Sequence, residues 1–148
     1  MNENRLADEM ACNCLMGRAR LLARVVTGIY EEQLRPFGLK ASQLNLLVVV
    51  AQAGPVRRSD IGRVIHLDAS TLTRNLAVML TNGWIEEVQD HADGRGLPLQ
   101  LTKSGQALLA EIAPVWRKAQ QRAQEVLGAN GTSVLMDVSN GLLGTAPA

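Results

Sequence analysis

Ser59-Asp-Ile-Gly-Arg-Val-Ile65, the two-residue joint His66-Leu67, and Asp68-Ala-Ser-Thr-Leu-Thr-Arg-Asn-Leu76 form the stretch whose reading decides the fold. Ile61, Val64 and Ile65 share one face of a first short helix, and Ser59 stands where its side chain can accept an amide proton as an N-cap. Asp68 opens a second helix in the same way. That helix runs to about Asn82, with Gly83 as a left-handed stop. Leu72, Leu76, Met79 and Leu80 make its inner stripe. At about 100° per residue, Ser70, Arg74 and Thr81 fall opposite that stripe, flanked by Thr71 and Thr73. His66 reads as a turn residue, because histidine tolerates a left-handed backbone better than most residues. Next, Ile85 to Val88 and Leu97 to Leu101 flank Asp90-His-Ala-Asp-Gly-Arg-Gly96, a hairpin with a charged tip. Leu97, Leu99 and Leu101 alternate with Pro98 and Gln100, and Pro98 restricts its strand to an edge or a start. Two helices on a tight joint, followed by a hairpin, form a device that seats one helix in the DNA major groove while the hairpin reaches the adjacent minor groove.

Outward from this stretch the chain is helical. Cys12, Leu15, Ala19, Leu22, Val26 and Ile29 step by threes and fours along a helix from about Met10 to Arg35, a seam that requires a partner helix. Pro36 ends it. A helix from about Ala41 or Ser42 to Gln52 carries Leu44, Leu47, Val48 and Ala51 at helical spacing and stops at Gly54-Pro55. Thr102 caps a long helix to about Leu127, in which Pro114 should introduce a kink. Gly128, Asn130 and Gly131 break it, and a last helix from about Thr132 or Ser133 to Leu143 follows. The expected fold is mainly α: a winged helix-turn-helix with a two-stranded β wing between long N- and C-terminal helices.

Composition limits the possible functions. With 148 residues the chain is expected to be one domain. A hydrophobic content of 47% with only 3% aromatic residues suits packed helices with aliphatic cores. No apolar run reaches membrane-spanning length, no secretory signal is visible, and a cytoplasmic location is expected. Net charge is +1, and the acids and bases between Arg57 and Lys103 cancel, so only their placement can create a positive face. No phosphate loop, nucleophile elbow or HExxH is present, so neither an enzyme nor a cofactor is expected. His66, His91 and the cysteines lack the spacing of a zinc site.

The candidate DNA-contacting residues are Ser70, Thr71, Thr73 and Arg74 toward the major groove, Arg95 toward the minor groove, and Ser59 and Lys103 toward phosphates. Short polar side chains let a helix approach a groove closely. Gly94 and Gly96 free the hairpin tip around Arg95. Cys12 and Cys14, two apart on one expected helix, point to opposite sides and make no disulfide framework. Cys12 falls on the apolar seam. Cys14, close to Arg18, is the candidate reactive thiol.

Ala41-Ser-Gln-Leu-Asn-Leu-Leu47, Asp68-Ala-Ser-Thr-Leu-Thr-Arg74, Asn82-Gly-Trp-Ile85, and Asp93-Gly-Arg95 followed by Leu99-Gln-Leu-Thr-Lys-Ser-Gly105 together resemble the MarR family of winged-helix transcriptional regulators. The resemblance covers nearly everything from Cys12 to Leu127. It implies a single domain over 1–148, with a DNA-binding lobe over 41–102 and dimerisation helices over 10–36 and 103–144. It further implies an obligate homodimer, a recognition helix from about Ala69 to Asn82, a wing bearing Arg95, and a lipophilic or aromatic effector bound between the lobe and the dimerisation helices. Arg24, Tyr30, Phe37 and Trp116 are the effector-binding candidates. Gly62, His66 and Gly96 depart from the residues usual in the family. The expected function is a homodimeric repressor that binds a pseudo-palindromic duplex and responds to a small effector. The alternatives are a thiol-based redox-sensing repressor using Cys12 and Cys14, and a winged-helix module that docks on protein.

Overall fold

The structure is a computed structural model that describes residues 3–89 and 96–144. Two helices, α1 (Glu3–Asn13) and α2 (Leu15–Leu34), lead into a 3-10 turn (Arg35–Phe37) and then α3 (Ala41–Ala53). The helix pair α4 (Arg58–Ile65) and α5 (Ala69–Thr81) precedes the strands β1 (Ile85–Glu87) and β2 (Leu99–Leu101), and α6 (Lys103–Asn140) closes the chain. The strands pair antiparallel with Ile85 opposite Leu101, Glu86 opposite Gln100 and Glu87 opposite Leu99. Val56 adds a bridge to Leu99, exchanging amide–carbonyl bonds of 2.9 and 2.8 Å.

One core lies beneath the helix pair. Leu46, Leu47 and Val50 of α3, Ile61 of α4, Leu72, Leu76 and Met79 of α5, Ile85 and Leu99 of the strands, and Leu108 and Ile112 of α6 pack together with Leu34 and Leu39. Gly38 turns the chain after Pro36 with φ of 65°, as the Pro-Phe-Gly sequence demands. The exposed face of α3 corrects the sequence reading. Val48 is 39% exposed and Ala51 is exposed, whereas Gln43 and Leu46 are buried. The inward face is centred on 43, 47 and 50, where α3 packs against β2, α2 and α5. The buried Gln43 is satisfied: its Oε1 accepts the Lys40 amide at 2.9 Å.

The first helix also differs from the expectation. The chain is already helical from Glu3, and it breaks at Cys14, whose backbone is extended (φ −73°, ψ 108°). Two local contacts favour the break. Cys14 Sγ accepts the Gly17 amide at 3.4 Å, and Arg18 Nη2 reaches back to the Ala11 carbonyl at 3.2 Å, satisfying an acceptor that α1 leaves open at its end. Beyond the break, Leu22, Val26 and Ile29 are half-buried, on a helix that packs mainly against α6. Cys12, Leu15 and Ala19, the upper part of the same seam, are exposed, Leu15 by 84%.

Thr102 caps α6 as the sequence requires, its Oγ1 accepting the Gly105 amide at 3.0 Å. The helix continues through Pro114. At Gly128 the backbone leaves helical geometry (φ 72°, ψ 170°), a region closed to residues with a Cβ. The break falls where the sequence put it, and separates 103–127 from 129–140. The terminal segment starts and ends earlier than the expected 132–143.

Candidate nucleic-acid interface

The α4–α5 joint depends on His66, which adopts the left-handed conformation (φ 54°, ψ 40°) and donates its amide to the Gly62 carbonyl. Leu67 donates to the same carbonyl at 3.0 Å. Only two residues then separate His66 from the start of α5. The N-cap of α4 is Arg57, not Ser59, and makes no side-chain cap bond; Ser59 is exposed in the first helical turn. The helix therefore starts two residues earlier than a Ser59 cap implies.

Asp68 caps α5. Its carboxylate accepts the Ser70 hydroxyl at 2.6 Å, the Thr71 hydroxyl at 2.7 Å and the Thr71 amide at 3.0 Å. These bonds, the Ser70 hydroxyl first, hold its pKa well below the usual carboxylate range. Asp68 is thus ionised at neutral pH. Both hydroxyls donate inward to it, so their lone pairs are left as acceptors. Thr73 donates to the Ala69 carbonyl at 2.7 Å, and Arg74 Nη2 donates to Thr71 Oγ1 at 3.3 Å. Ser70, Thr73 and Arg74 are exposed and Thr71 is half-buried, while Leu72, Leu76 and Met79 are buried behind them. The outer face of α5 combines hydroxyl acceptors, one carboxylate and one guanidinium, which are the groups that read base edges in a major groove.

Arg95, like the rest of 90–95, lies outside the described residues, as does His91. The described base of the hairpin is braced by two arginines that sequence reasoning missed. Arg57 Nη1 donates to the Gly96 carbonyl at 2.9 Å, and Arg58 forms a 2.9 Å ion pair with Glu87. These contacts cross 39 and 29 residues of chain, so local spacing carries no sign of them. The Gln100–Glu86 side-chain bond at 2.8 Å joins directly opposed residues and follows from the register alone. Lys103 is exposed in the first turn of α6.

Of the four effector candidates, two share a cleft. Tyr30 and Trp116 line a space of about 490 Å³ with Val26, Thr27, Ala41, Leu44, Asn45 and Val48. The Tyr30 hydroxyl donates to Gln120 Oε1, and burial raises its pKa. Arg24 lies on a separate depression with Ala23, Thr27, Gly28 and Glu31, and Phe37 packs against the core. Cys12 is exposed within α1, while Cys14 is half-buried at the break, as the N-cap of α2, so the two do not share one helix. Among the described residues no three His, Cys, Asp or Glu side chains group as a metal site, and no helix is long and apolar enough to cross a membrane.

Two helices on a tight joint, the second bearing a polar outer face and followed by an antiparallel hairpin, define a winged helix-turn-helix protein. Residues 37–96 match the model of the MarR family. Over 90 residues the chain is 33% identical to the uncharacterized HTH-type transcriptional regulator YwoH of Bacillus subtilis, covering 61% of this chain and 65% of that protein. Over 80 residues it is 33% identical to the multiple antibiotic resistance protein MarR of Salmonella typhimurium, covering 54% and 56%. The chain thus spans less than two thirds of the length of either relative. A MarR variant from E. coli complexed with operator DNA has the same fold, with a TM-score of 0.79 at 21% identity over 90% of this chain and 96% of that one. Across residues 37–96 the chain is thus similar to the MarR family of winged-helix transcriptional regulators, and it shares their fold.

Proposed function

We propose that this protein is a homodimeric, sequence-specific DNA-binding regulator, acting as a repressor, whose two copies of α5 enter successive major grooves of a pseudo-palindromic duplex. The observation that carries this is the exposed polar face of α5, rigidly capped by Asp68 and backed by Leu72, Leu76 and Met79. Ser70, Thr71, Thr73 and Arg74 face the bases, and Ser59 and Lys103 face phosphates near the N-termini of α4 and α6, where the helix dipole favours anions. Arg95 is assigned to the minor groove on sequence grounds. A two-fold dimer puts its reading helices about 34 Å apart.

The dimer is supported by apolar side chains that a lone chain leaves in water. Leu6, Met10, Leu15 and Met16 at one end, and Val134, Leu135, Met136 and Val138 at the other, are all exposed. Side chains of this kind, grouped on two arms, are typical of a surface buried between copies. The Tyr30–Trp116 cleft between α2, α3 and α6 is assigned to a small aromatic effector, since its walls are apolar with a phenol and an amide to orient a ligand. Such a ligand changes DNA affinity only if it binds the two dimer geometries unequally.

Fluorescence anisotropy against a cognate duplex tests the assignment of α5. Arg74→Ala should weaken binding by about 1–3 kcal/mol if its guanidinium reads a base. Unchanged affinity would remove Arg74 from the interface. For the cleft, a thermal-shift series with aromatic acids should raise the melting temperature of the wild type and not that of Trp116→Ala. Equal shifts in both proteins would place the ligand elsewhere.

A further inference from the structure

The turn at 141–144 returns to the helix-turn-helix joint. His66 Nε2 lies 2.7 Å from the Leu142 carbonyl oxygen, across 76 residues of chain. Beside it, the Gly144 amide donates to the Val64 carbonyl at 3.2 Å. Val64 lies in the last turn of α4, so its carbonyl is one that the helix itself leaves without a partner. Gly144 reaches it in a left-handed conformation (φ 72°), which suits glycine. The left-handed backbone of His66 turns its ring out of the helical path toward the terminal turn at 141–144. The two bonds run in opposite directions, one donated by the joint and one donated to it. A carbonyl oxygen only accepts, so the ring nitrogen Nε2 carries the proton in this contact.

We propose that this pair of bonds is a clasp through which the terminal turn positions the reading helix, with His66 as the positioning residue. The proposal rests on the assignment of α5 to DNA. α5 starts three residues after His66, so a shift at the joint rotates the whole helix. The terminal turn follows directly from the 129–140 segment, whose Val134, Leu135, Met136 and Val138 belong to the arm assigned to the dimer contact. The clasp therefore links the element that sets the separation of two subunits to the element that reads the duplex, without passing through the core.

Hydrogen exchange followed by mass spectrometry tests the clasp in the full chain, in His66→Gly, in a chain ending at Gly141, and in the two changes combined. Glycine keeps the left-handed backbone and removes the ring. Amides of 62–72 should exchange about tenfold faster in either single variant, with no further gain in the combination. His66→Gln, whose Nε2 reaches a similar distance, should recover part of the protection. Unaltered exchange in the shortened chain, or effects that multiply in the combination, would overturn the clasp. Its positioning role is read on duplexes whose half-site spacing is varied by one base pair. The wild type should reject the wrong spacing, and both single variants should lose about tenfold of that rejection while keeping affinity for the correct one. Retained rejection despite faster exchange would leave a clasp that positions nothing. A wild-type protein that binds no duplex would instead remove the functional reading and leave the exchange result standing.

Discussion

At the scale of single residues, Asp68 does most to organise the outer face at the start of α5. It supplies the α5 cap and orients the hydroxyls of Ser70 and Thr71, the latter of which also accepts from Arg74. Its bonds favour the ionised form, so its pKa in the folded protein is below that in the unfolded chain. The stability it contributes is accordingly complete above the ordinary aspartate pKa of 3.8 and disappears as pH falls through the lower folded value. Asp68→Ala should melt several degrees below the wild type at pH 7, and the gap should narrow steadily on acidification below about pH 4. Thermal melts by circular dichroism check this, and a gap that widens in acid would contradict it. The carboxylate cap was legible in the sequence because Asp before an apolar-periodic run has few other roles. The two hydroxyls turned toward it were not, since nothing in the spacing distinguishes a serine that faces solvent from one that serves a neighbour. Arg57 and Arg58 were hidden for a similar reason: their partners Gly96 and Glu87 become neighbours only once the hairpin has folded back.

At the scale of elements, the Leu-Thr-x-x-Gly pattern joins the hairpin to the long helix. Thr102 Oγ1 donates to the Gly83 carbonyl at 2.5 Å, and the Thr102 amide donates to the Trp84 carbonyl at 3.1 Å. Gly105 is required because α6 passes directly over that strand entry. A Cβ there would sit 2.1 Å from the Trp84 oxygen and 3.0 Å from Leu101 Cγ. The nearest atom is backbone and cannot swing away, so Gly105→Ala should destabilise by about 1–3 kcal/mol or more, lowering the melting temperature by roughly 3–10 °C. An unchanged melting temperature would mean that α6 starts farther from the hairpin than described. Element type and order were readable from period and punctuation: Pro36, Gly38, Gly83 and Gly128 stand where helices end. The break at Cys14 was not, because the apolar steps continue through it and Gly17 is a weak signal on its own. Nor was the inward face of α3, where the run Val48-Val49-Val50 is apolar on every side and periodicity loses its meaning.

At the scale of the whole molecule, burial is shared unevenly between the helix-turn-helix and the helices at the two ends of the described chain. The core joins α3, α4, α5, the strands and the first half of α6, whereas α1, the start of α2 and the 129–140 segment leave apolar side chains in solvent. The sequence carried part of this asymmetry, since a seam stepping by threes and fours calls for a partner helix. It could not say that α6 of the same chain covers the lower half of that seam and leaves the upper half open. Because the chain is near neutral, the proposed DNA contact requires its cations to be concentrated locally, and the salt dependence of binding reports how many phosphates they meet.

The most direct test of the central claim is selection from a random-sequence duplex library by the full chain, with Arg74→Ala run in parallel. The account predicts enrichment of an inverted repeat whose half-sites lie about one helical turn, roughly 10 base pairs, apart, with Arg74→Ala losing preference at one position in each half-site. A selected pool without symmetry, or the same pool from both proteins, would contradict it.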